Sequence, residues 1–563
     1  MFDKRLVDWA GAGLLGAAFL LPPGDAPWVS FWREWVAALA VVLILFAVAG
    51  RLRDQGLAVR WPLASLPSLA LALAVVAWLQ WLVGIEFYRG DALLVSAYLV
   101  AFAACIALAQ SLAAEDRAQL ADRLALVMLG AALCSVPLAV LQWLGLMSLD
   151  LGIPVVAGRP VAHMEQTNLL CTLLLQGLAG AWRLFERKRL DGRLLGVLAI
   201  VLLLTAGLTQ SRVALLVLVA TVAACVWRRR SLGLPSRTLL VAAFALALAV
   251  AGALAMPWID ARLGFSGVAL GDRLSGGRRP DVWWLFLDAV RQHPLAGWGP
   301  LQNGAAQVDQ ALRHPPLLWL FGSAHDVVLD LMVWFGAPLG ALAGGALVIA
   351  VAARVKRAGD APQFVSALAA LALLLHGLVE LPLQYTYFLL PLGLLLGVQG
   401  GVEPRTRHVV PLPLRGRLTL PAGLLVPALL LAALARDYIP LSDVRPFMDY
   451  DKPANHMLLG ASADVPDVLL LDQLQAFQAF AAVKAEPGLS PEAVAALRRP
   501  MLRFPFAPSQ EHYARVVALN GRPAEALDAL RRGCTFMTAP QCDENRRAWA
   551  VWRSLGQPLP AWP

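Results

Sequence analysis

The sequence predicts an all-α membrane protein: a polytopic bundle of about 12 to 13 membrane-spanning helices, with a large external loop and a small helical carboxy-terminal domain. The 563 residues are 59% hydrophobic and 15% charged, and the mean hydropathy is +0.64. These values are too apolar for a soluble domain with an ordinary surface. Apolar runs of roughly 17 to 25 residues recur along the chain, and each can cross about 30 Å of hydrocarbon as a helix.

The predicted spans are joined mostly by short polar connections. They cover residues 9–24, 35–50, 63–84, 92–110, 124–146, 168–185, 193–210, 212–227, 238–257, 326–351, 363–380, 385–400 and 418–435. Arginine and lysine are concentrated in alternate connections, at 51–60, 117–123, 183–193, 228–237, 354–357 and 405–417. By the positive-inside rule these connections face the cytoplasm. The net charge of +9 is therefore a topology signal, and no nucleic-acid partner is expected.

This orientation divides the chain into four segments. Residues 1–257 and 326–435 are the amino-terminal and carboxy-terminal sets of transmembrane helices. Residues 258–325 form a catalytic loop in the periplasm, and residues 436–563 form a helical domain on the same side. The loop is the only long interruption between apolar runs, and it is rich in charged and aromatic residues.

The carboxy-terminal segment has its own helix signals. Ser490, Pro491 and Glu492 read as an N-cap, a first-turn proline and an early acidic residue. Two amphipathic helices joined at Asn520-Gly521 resemble a single tetratricopeptide-like hairpin. Cys534 and Cys542 are close enough in sequence to form a disulfide if the domain lies in an oxidising compartment.

Three arginines on the external side are candidates for binding an anion. Arg212 follows T-Q-S between two apolar runs, and Arg278 and Arg279 follow S-G-G, where glycines allow close backbone approach. A guanidinium binds phosphate oxygens bidentately and stays charged, so the set suits a diphosphate. The alternatives are a helix-end arginine that snorkels to the interface for Arg212 and a solvated basic loop for the other two.

A histidine at the start of the next apolar run is the candidate general base. His325 lies at the predicted membrane boundary, and an imidazole can take a proton from an attacking hydroxyl. The alternative interpretation is a helix cap or an interface residue. His376 and Glu380 are four residues apart in an apolar run, so they form a buried polar pair that faces the bundle interior or lines a site.

The sequence contains no constellation of metal ligands. There is no D-x-D pair in an external loop, no H-E-x-x-H and no cysteine ligand set. We therefore expect no metal and no other cofactor, with arginines neutralising the charge.

Several motifs together resemble the superfamily of O-antigen ligases and polymerases. They are T-Q-S-R at 209–212, G-R-R-P-D-V-W at 277–283, H-P-L-A-G-W-G at 293–299 and A-H-D-V-V-L-D-L-M-V-W-F-G at 324–336. Within this superfamily, two further stretches are similar to PglL-type protein O-oligosaccharyltransferases. They are R-P-V-A-H-M-E-Q-T-N at 159–168 and L-L-H-G-L-V-E-L-P-L-Q-Y-T-Y-F-L-L-P-L-G at 374–393. The sequence departs from that pattern at Thr167, where proline is usual, at Asp326, where an amide is usual, at Leu339, which delays the second glycine to Gly340, and at Leu381, where tyrosine is usual.

The resemblance implies a glycosyltransferase of the bacterial inner membrane. It would move an oligosaccharide from undecaprenyl diphosphate to serine or threonine hydroxyls of a periplasmic, pilin-like protein, without a metal. Arg212 and Arg279 would hold the diphosphate, with Arg278 beside them, and His325 would activate the acceptor. The further candidates are Arg159, Gln166, Asn168, His376 and Glu380.

Three other functions share some of these features. An O-antigen ligase, with lipid A core as acceptor, and an O-antigen polymerase would use the same donor site. A transporter of lipid-linked glycans would also need many helices, but transporters place ionisable groups near the midplane in paired halves. In this sequence the polar groups gather at one face, and no internal repeat is visible.

Overall fold

A computed structural model describes residues 4–24, 28–62, 65–146, 159–264, 278–400, 409–412, 419–442 and 465–563. Parts of the predicted catalytic loop, including the S-G-G turn, and of the predicted carboxy-terminal domain lie outside these residues. The described chain is helical apart from one pair of short strands and the connections. Up to residue 442 its helices are α1 (Lys4–Leu20), α2 (Phe31–Asp54), α3 (Leu66–Leu82), α4 (Arg89–Ser111), α5 (Ala114–Trp143), α6 (Thr167–Glu186), α7 (Gly192–Leu208), α8 (Arg212–Leu232), α9 (Ser236–Arg262), α10 (Arg279–Gln292), α11 (Asn303–Gln310), α12 (Val327–Phe335), α13 (Ala337–Arg357), α14 (Ala361–Gly377), α15 (Thr386–Gln399) and α16 (Thr419–Ser442).

The protein is a multi-pass helical membrane protein, as predicted. Seven of the described helices are long and apolar enough to cross a membrane, namely α2, α4, α5, α6, α9, α13 and most of α16. Five shorter apolar helices, α1, α3, α7, α14 and α15, accompany them. Each predicted span except 326–351 overlaps a single helix, although the number that cross the membrane stays a prediction.

One predicted span is wrong in its continuity. The run 326–351 is split at Gly336 into the short helix α12 and the long helix α13. Gly336 has φ of 84°, which glycine adopts without strain, and Pro338 follows in the first turn of α13, where its missing N–H costs nothing. The backbone N–H of Ala337 instead donates to the carbonyl of Pro294 at 2.7 Å. This break separates α12 from the long apolar helix α13.

The predicted basic connections contact one another at one end of the bundle. Strand β1 (Val59–Pro62) pairs antiparallel with β2 (Val409–Leu412), which joins two of these connections and is the one departure of the described chain from an all-α fold. Asp122 of a third connection is buried and pairs with Arg183 at 2.8 Å. Its other oxygen pairs with Arg187 at 3.1 Å. The grouping predicted from charge is therefore present in the structure.

The core of the bundle is packed closely around α15. Tyr387 and Phe388 are fully buried there, and Phe19 of α1 meets both rings edge-on. A Cβ added at Gly397 would lie 2.7 Å from the Cβ of Ala109 on α4. Glycine thus allows α15 and α4 to approach closely.

The carboxy-terminal helices form a second apolar core around the buried Trp549. They are α17 (Asp472–Ala482), α18 (Pro491–Ala496), α19 (Arg498–Arg503), α20 (Ala507–Leu519), α21 (Pro523–Cys534) and α22 (Ala539–Ser554). Ser490 accepts a hydrogen bond from Ala493 N at 3.1 Å, so the predicted N-cap is confirmed. The predicted hairpin turns at Gly521, with φ of 81°. Cys534 and Cys542 are disulfide-bonded.

Candidate active site

Glu380 joins three separate parts of the chain at the end of the bundle opposite the basic connections. It follows the end of α14, and its side chain is 5% exposed. Its Oε2 lies 2.6 Å from Nδ1 of His325. Its Oε1 accepts hydrogen bonds from the Asn168 amide at 2.9 Å and from the Arg279 guanidinium. Four of the sequence-predicted residues therefore form one cluster.

Electrostatics keep Glu380 ionised. Burial alone would raise the pKa of this carboxyl, but the hydrogen bond from His325 and the charges of His325 and Arg279 together lower the pKa to about 2. An ionised carboxylate can only accept, so the proton between the two groups belongs on Nδ1 of His325. Nε2 of the same ring is then the nitrogen that can take a proton from a substrate.

The backbone around His325 is held in an unusual conformation. His325 has φ of 55°, a region that non-glycine residues rarely adopt and that is often found at functional sites. Its N–H donates to Oγ of Ser323 at 2.9 Å. On its carboxyl side Asp326 caps α12, accepting from Val328 N at 2.8 Å and Leu329 N at 3.1 Å. The histidine is thus fixed from both sides.

Asp330, which the sequence interpretation missed, fixes this loop. It accepts from Ser323 Oγ at 2.6 Å, Ala324 N at 2.7 Å, Asn303 Nδ2 at 2.8 Å and Gln384 Nε2 at 3.1 Å. Burial raises the pKa of Asp330 to about 6, against the lowering effect of these hydrogen bonds. The signal was available, because a lone carboxylate in the apolar stretch V-V-L-D-L-M-V is costly unless it has a structural or functional partner.

A second set of groups extends the cluster toward the amino termini of α6 and α8. Oδ1 of Asn168 accepts from Oγ of Ser211 at 2.7 Å, the residue before Arg212. The guanidinium of Arg159 donates to the carbonyl of Thr209 at 3.1 Å and to Oγ1 of Thr167 at 2.9 Å. Amino-terminal ends of helices and guanidinium groups both favour anions.

The remaining candidates are placed differently. Arg278 is exposed and donates to the carbonyl of Pro316 at 2.7 Å, away from Glu380. Arg212 is exposed at the first position of α8, and Gln166 is the N-cap residue of α6. The expected pairing of His376 with Glu380 is not made through a hydrogen bond, because α14 ends between them. Nδ1 of His376 instead lies 2.7 Å from Oγ1 of Thr172, inside the bundle.

A cavity of about 520 Å³ reaches Glu380 from another side. Leucines, phenylalanines and other apolar side chains form most of its wall, with Asp330, Gln384 and Tyr385 near Glu380. Nothing in the sequence predicted this cavity, because its wall is assembled from helices that are far apart in the chain. Across the described residues, no three histidine, cysteine or acidic side chains are grouped as a metal site.

Comparisons with known proteins find similarity to two families. Residues 197–344 match the model of a family described as O-antigen ligase. Residues 364–541 match the family described as virulence factor membrane-bound polymerase, carboxy-terminal part. The two matches contain Arg212, Arg279, His325 and Glu380. Over these residues the chain is similar to the O-antigen ligase and polymerase superfamily, as its motifs predicted.

Curated relatives narrow the class. The general O-oligosaccharyltransferase of Acinetobacter baylyi (strain ATCC 33305 / BD413 / ADP1) is 28% identical over 443 residues, which cover 76% of this chain and 75% of that protein. The ComP-specific O-oligosaccharyltransferase of the same strain is 33% identical over 130 residues, 22% of this chain and 23% of that one. The predicted similarity to O-oligosaccharyltransferases is thereby confirmed.

Proposed function

We propose that this protein transfers an oligosaccharide from undecaprenyl diphosphate to serine or threonine hydroxyls of a periplasmic, pilin-like protein. The observation that carries the proposal is the placement of His325 and Arg279 on the two oxygens of one ionised carboxylate, Glu380. A proton acceptor for the attacking hydroxyl and a cation for the leaving group are thereby held side by side.

The reaction follows from this arrangement. Nε2 of His325 takes the proton of the acceptor hydroxyl while its oxygen attacks the anomeric carbon of the donor sugar. The bond between that carbon and the diphosphate oxygen breaks, and undecaprenyl diphosphate leaves with the bonding electrons. Arg279, Arg212 and Arg159 would neutralise the charge that develops on the diphosphate. Glu380 stabilises the imidazolium that forms, as a carboxylate does beside a catalytic histidine.

The proposed location is the bacterial inner membrane, with the site in the periplasm. The arginine-rich connections gather at one end of the bundle and the Glu380 cluster at the other, which supports this orientation under the positive-inside rule. The loop within 258–325 would face the periplasm between the transmembrane segments 1–257 and 326–435. The domain within 436–563 follows the second of these segments and would face the same side. A disulfide between Cys534 and Cys542 suits that oxidising compartment.

The test is transfer in vitro with the purified protein, an undecaprenyl-diphosphate-linked oligosaccharide and a pilin acceptor. We expect a glycosylated pilin, without nucleotide and with a chelator present. His325→Ala should abolish transfer while the thermal unfolding midpoint and the affinity for donor stay close to those of the wild type.

The match of residues 197–344 to the O-antigen ligase family favours an O-antigen ligase or polymerase as the second candidate function. That stretch carries Arg212, Arg279 and His325, so a ligase or polymerase would use the same donor groups. Transfer to lipid A core or to a second lipid-linked glycan, with none to pilin, would replace the proposed acceptor. If no acceptor of any kind is glycosylated, transport of the lipid-linked glycan becomes the function to test.

A further inference from the structure

The cavity beside Glu380 has a wall that belongs to the carboxy-terminal helices. Gln473 and Leu474 of α17 line it, as do Arg503–Phe506 between α19 and α20. Leu301, Leu320 and Gly322, from the segment that leads to His325, also line it. These parts all lie outside the membrane-spanning helices. An occupant of this outer part therefore touches the catalytic loop and the carboxy-terminal domain together.

This wall is fixed to the bundle. The Arg503 guanidinium donates to both oxygens of the buried Asp91, at 2.6 and 3.0 Å. Asp472 accepts from the backbone N–H groups of Gly90 at 2.7 Å and Arg89 at 3.2 Å, at the amino terminus of α4. Buried bidentate pairs of this kind fix orientation as well as proximity. These hydrogen bonds thus hold this wall of the cavity in a fixed position on the bundle.

The same face is attached at a second point. Arg532 of α21 donates to the carbonyls of Val308 at 2.6 Å and Asp309 at 3.0 Å. Leu318 N donates to the carbonyl of Thr535 at 2.9 Å. These two attachments, both at the carboxy-terminal end of α21, hold the domain against the segment that leads to the catalytic histidine.

Charge decides what the cavity can bind. Its described lining includes four acidic side chains, of Glu34, Asp91, Asp330 and Glu380, and a single cation, Arg503. Arg503 is already paired with Asp91, so no cation of the described lining is left for an anion such as the donor diphosphate. Arg159, Arg212 and Arg279 are not among the described residues that line it. The donor head group and the cavity therefore belong to different sides of Glu380.

The rest of the lining favours a neutral, apolar occupant. Leu474, Phe504 and Phe506 present apolar surface, and the Phe506 side chain is 39% exposed. The Oε1 atom of Gln473 is enclosed against Gly90 of α4, so an occupant cannot reach it. A free sugar would leave most of its hydroxyls unpaired against this apolar wall.

We propose that the outer part of this cavity binds the acceptor protein, through a neutral apolar segment next to the accepting serine or threonine. The carboxy-terminal domain supplies its wall through Gln473 and Phe506. This inference rests on the proposed function, whose transfer reaction it deepens. The competing occupant is the polyprenyl chain of the donor, which the deeper lining at Leu73, Phe102 and Leu347 of membrane helices would accommodate.

The experiment measures transfer by the full-length protein in detergent, with a soluble pilin fragment as the acceptor probe. The KM for the fragment and the KM for the undecaprenyl-diphosphate-linked donor are determined separately. Phe506→Asp should raise the KM for the fragment at least about tenfold and leave the KM for the donor within about twofold, because a charge replaces a ring at the contact. Phe506→Ala, which removes the ring without adding a charge, should raise the KM for the fragment several-fold.

The matched control is Leu555→Asp. Leu555 is 68% exposed, follows α22 and does not line the cavity, so both KM values should stay at the wild-type level. Size-exclusion profiles and unfolding midpoints show which variants are folded, and Phe506→Ala decides the question if Phe506→Asp does not fold.

The outcomes separate this inference from the proposed function. A rise in the KM for the donor instead would assign the cavity to the polyprenyl chain and overturn the inference. Unchanged KM values for both substrates would overturn it as well. If the wild type itself transfers only to lipid A core or to another glycan, the proposed function fails first, and this inference fails with it.

Discussion

Replacing Glu380 with glutamine tests whether one carboxylate organises the site. Glutamine keeps the shape and one carbonyl oxygen, but it cannot accept charge-assisted hydrogen bonds from both His325 and Arg279. The fall in the pKa of Glu380 from 4.5 to about 2 corresponds to about 3 kcal/mol that favours the ionised form. Glu380→Gln should therefore destabilise the cluster by up to about this amount.

The sign of the pH dependence is defined by the same shift. A carboxyl whose pKa is lowered on folding stabilises the protein above its ordinary pKa, and this contribution is lost only as the pH falls toward about 2. The stability difference between wild type and Glu380→Gln should therefore decrease as the pH is lowered from about 5 toward about 2, which thermal unfolding at several pH values would show.

Activity should fall more than stability. Without the carboxylate the imidazole loses the group that fixes its Nδ1 proton, and in other enzymes this loss lowers kcat about 10⁴-fold. We expect a decrease in kcat of about 10³- to 10⁴-fold in the pilin transfer assay, with the KM for donor changed far less. The matched control is Asp122→Asn, which removes a buried, arginine-paired carboxylate at the opposite end of the bundle. It should reduce stability without this loss in kcat. A folded Glu380→Gln variant with kcat within about tenfold of wild type would refute the assigned role of Glu380.

Two further predictions concern neighbouring residues. Arg279→Ala should weaken donor binding by about 10- to 100-fold, whereas Arg278→Ala should weaken it less than about threefold, because Arg278 is exposed and bonded to the Pro316 carbonyl. Titration of the purified variants with lipid-linked donor measures both, and equal losses would contradict the separation seen in the structure. Burial raises the pKa of Asp330 to about 6. The stability of the wild type should therefore fall relative to that of Asp330→Asn as the pH rises from about 4 to about 6, and thermal unfolding at several pH values would show this. A constant difference in stability over this range would exclude an Asp330 that titrates there.

The bundle was largely predictable because apolar runs are long and local. Each predicted span except 326–351 overlaps a single helix, since a run of that length has no other stable structure in hydrocarbon. The break at Gly336 was missed because periodic apolar sequence continues on both sides of it. The β1 and β2 pair was missed because its two strands lie some 350 residues apart in the chain, and short strands carry little local signal.

The site was predicted as a set of residue types but not as a geometry. His325, Arg279 and Asn168 were each candidates, yet nothing local shows that all three contact Glu380, which is 55, 101 and 212 residues away from them in sequence. Glu380 was instead paired with its neighbour His376, because a continuous helix was assumed across Gly377. The actual end of α14 frees Glu380 to turn toward the loops.

Two departures from the family pattern acquire a physical meaning in this geometry. Thr167, where relatives of this type usually have proline, supplies through Oγ1 an acceptor for Arg159, which also bonds the carbonyl of Thr209. A proline there would offer no side-chain acceptor, so threonine ties the amino terminus of α6 to that of α8. Asp326, where an amide is usual, accepts the N-cap hydrogen bonds of α12 through one oxygen, which an amide oxygen would also do. Neither change disturbs the contacts of His325 with Glu380, because both act on the helix ends that hold these residues in place.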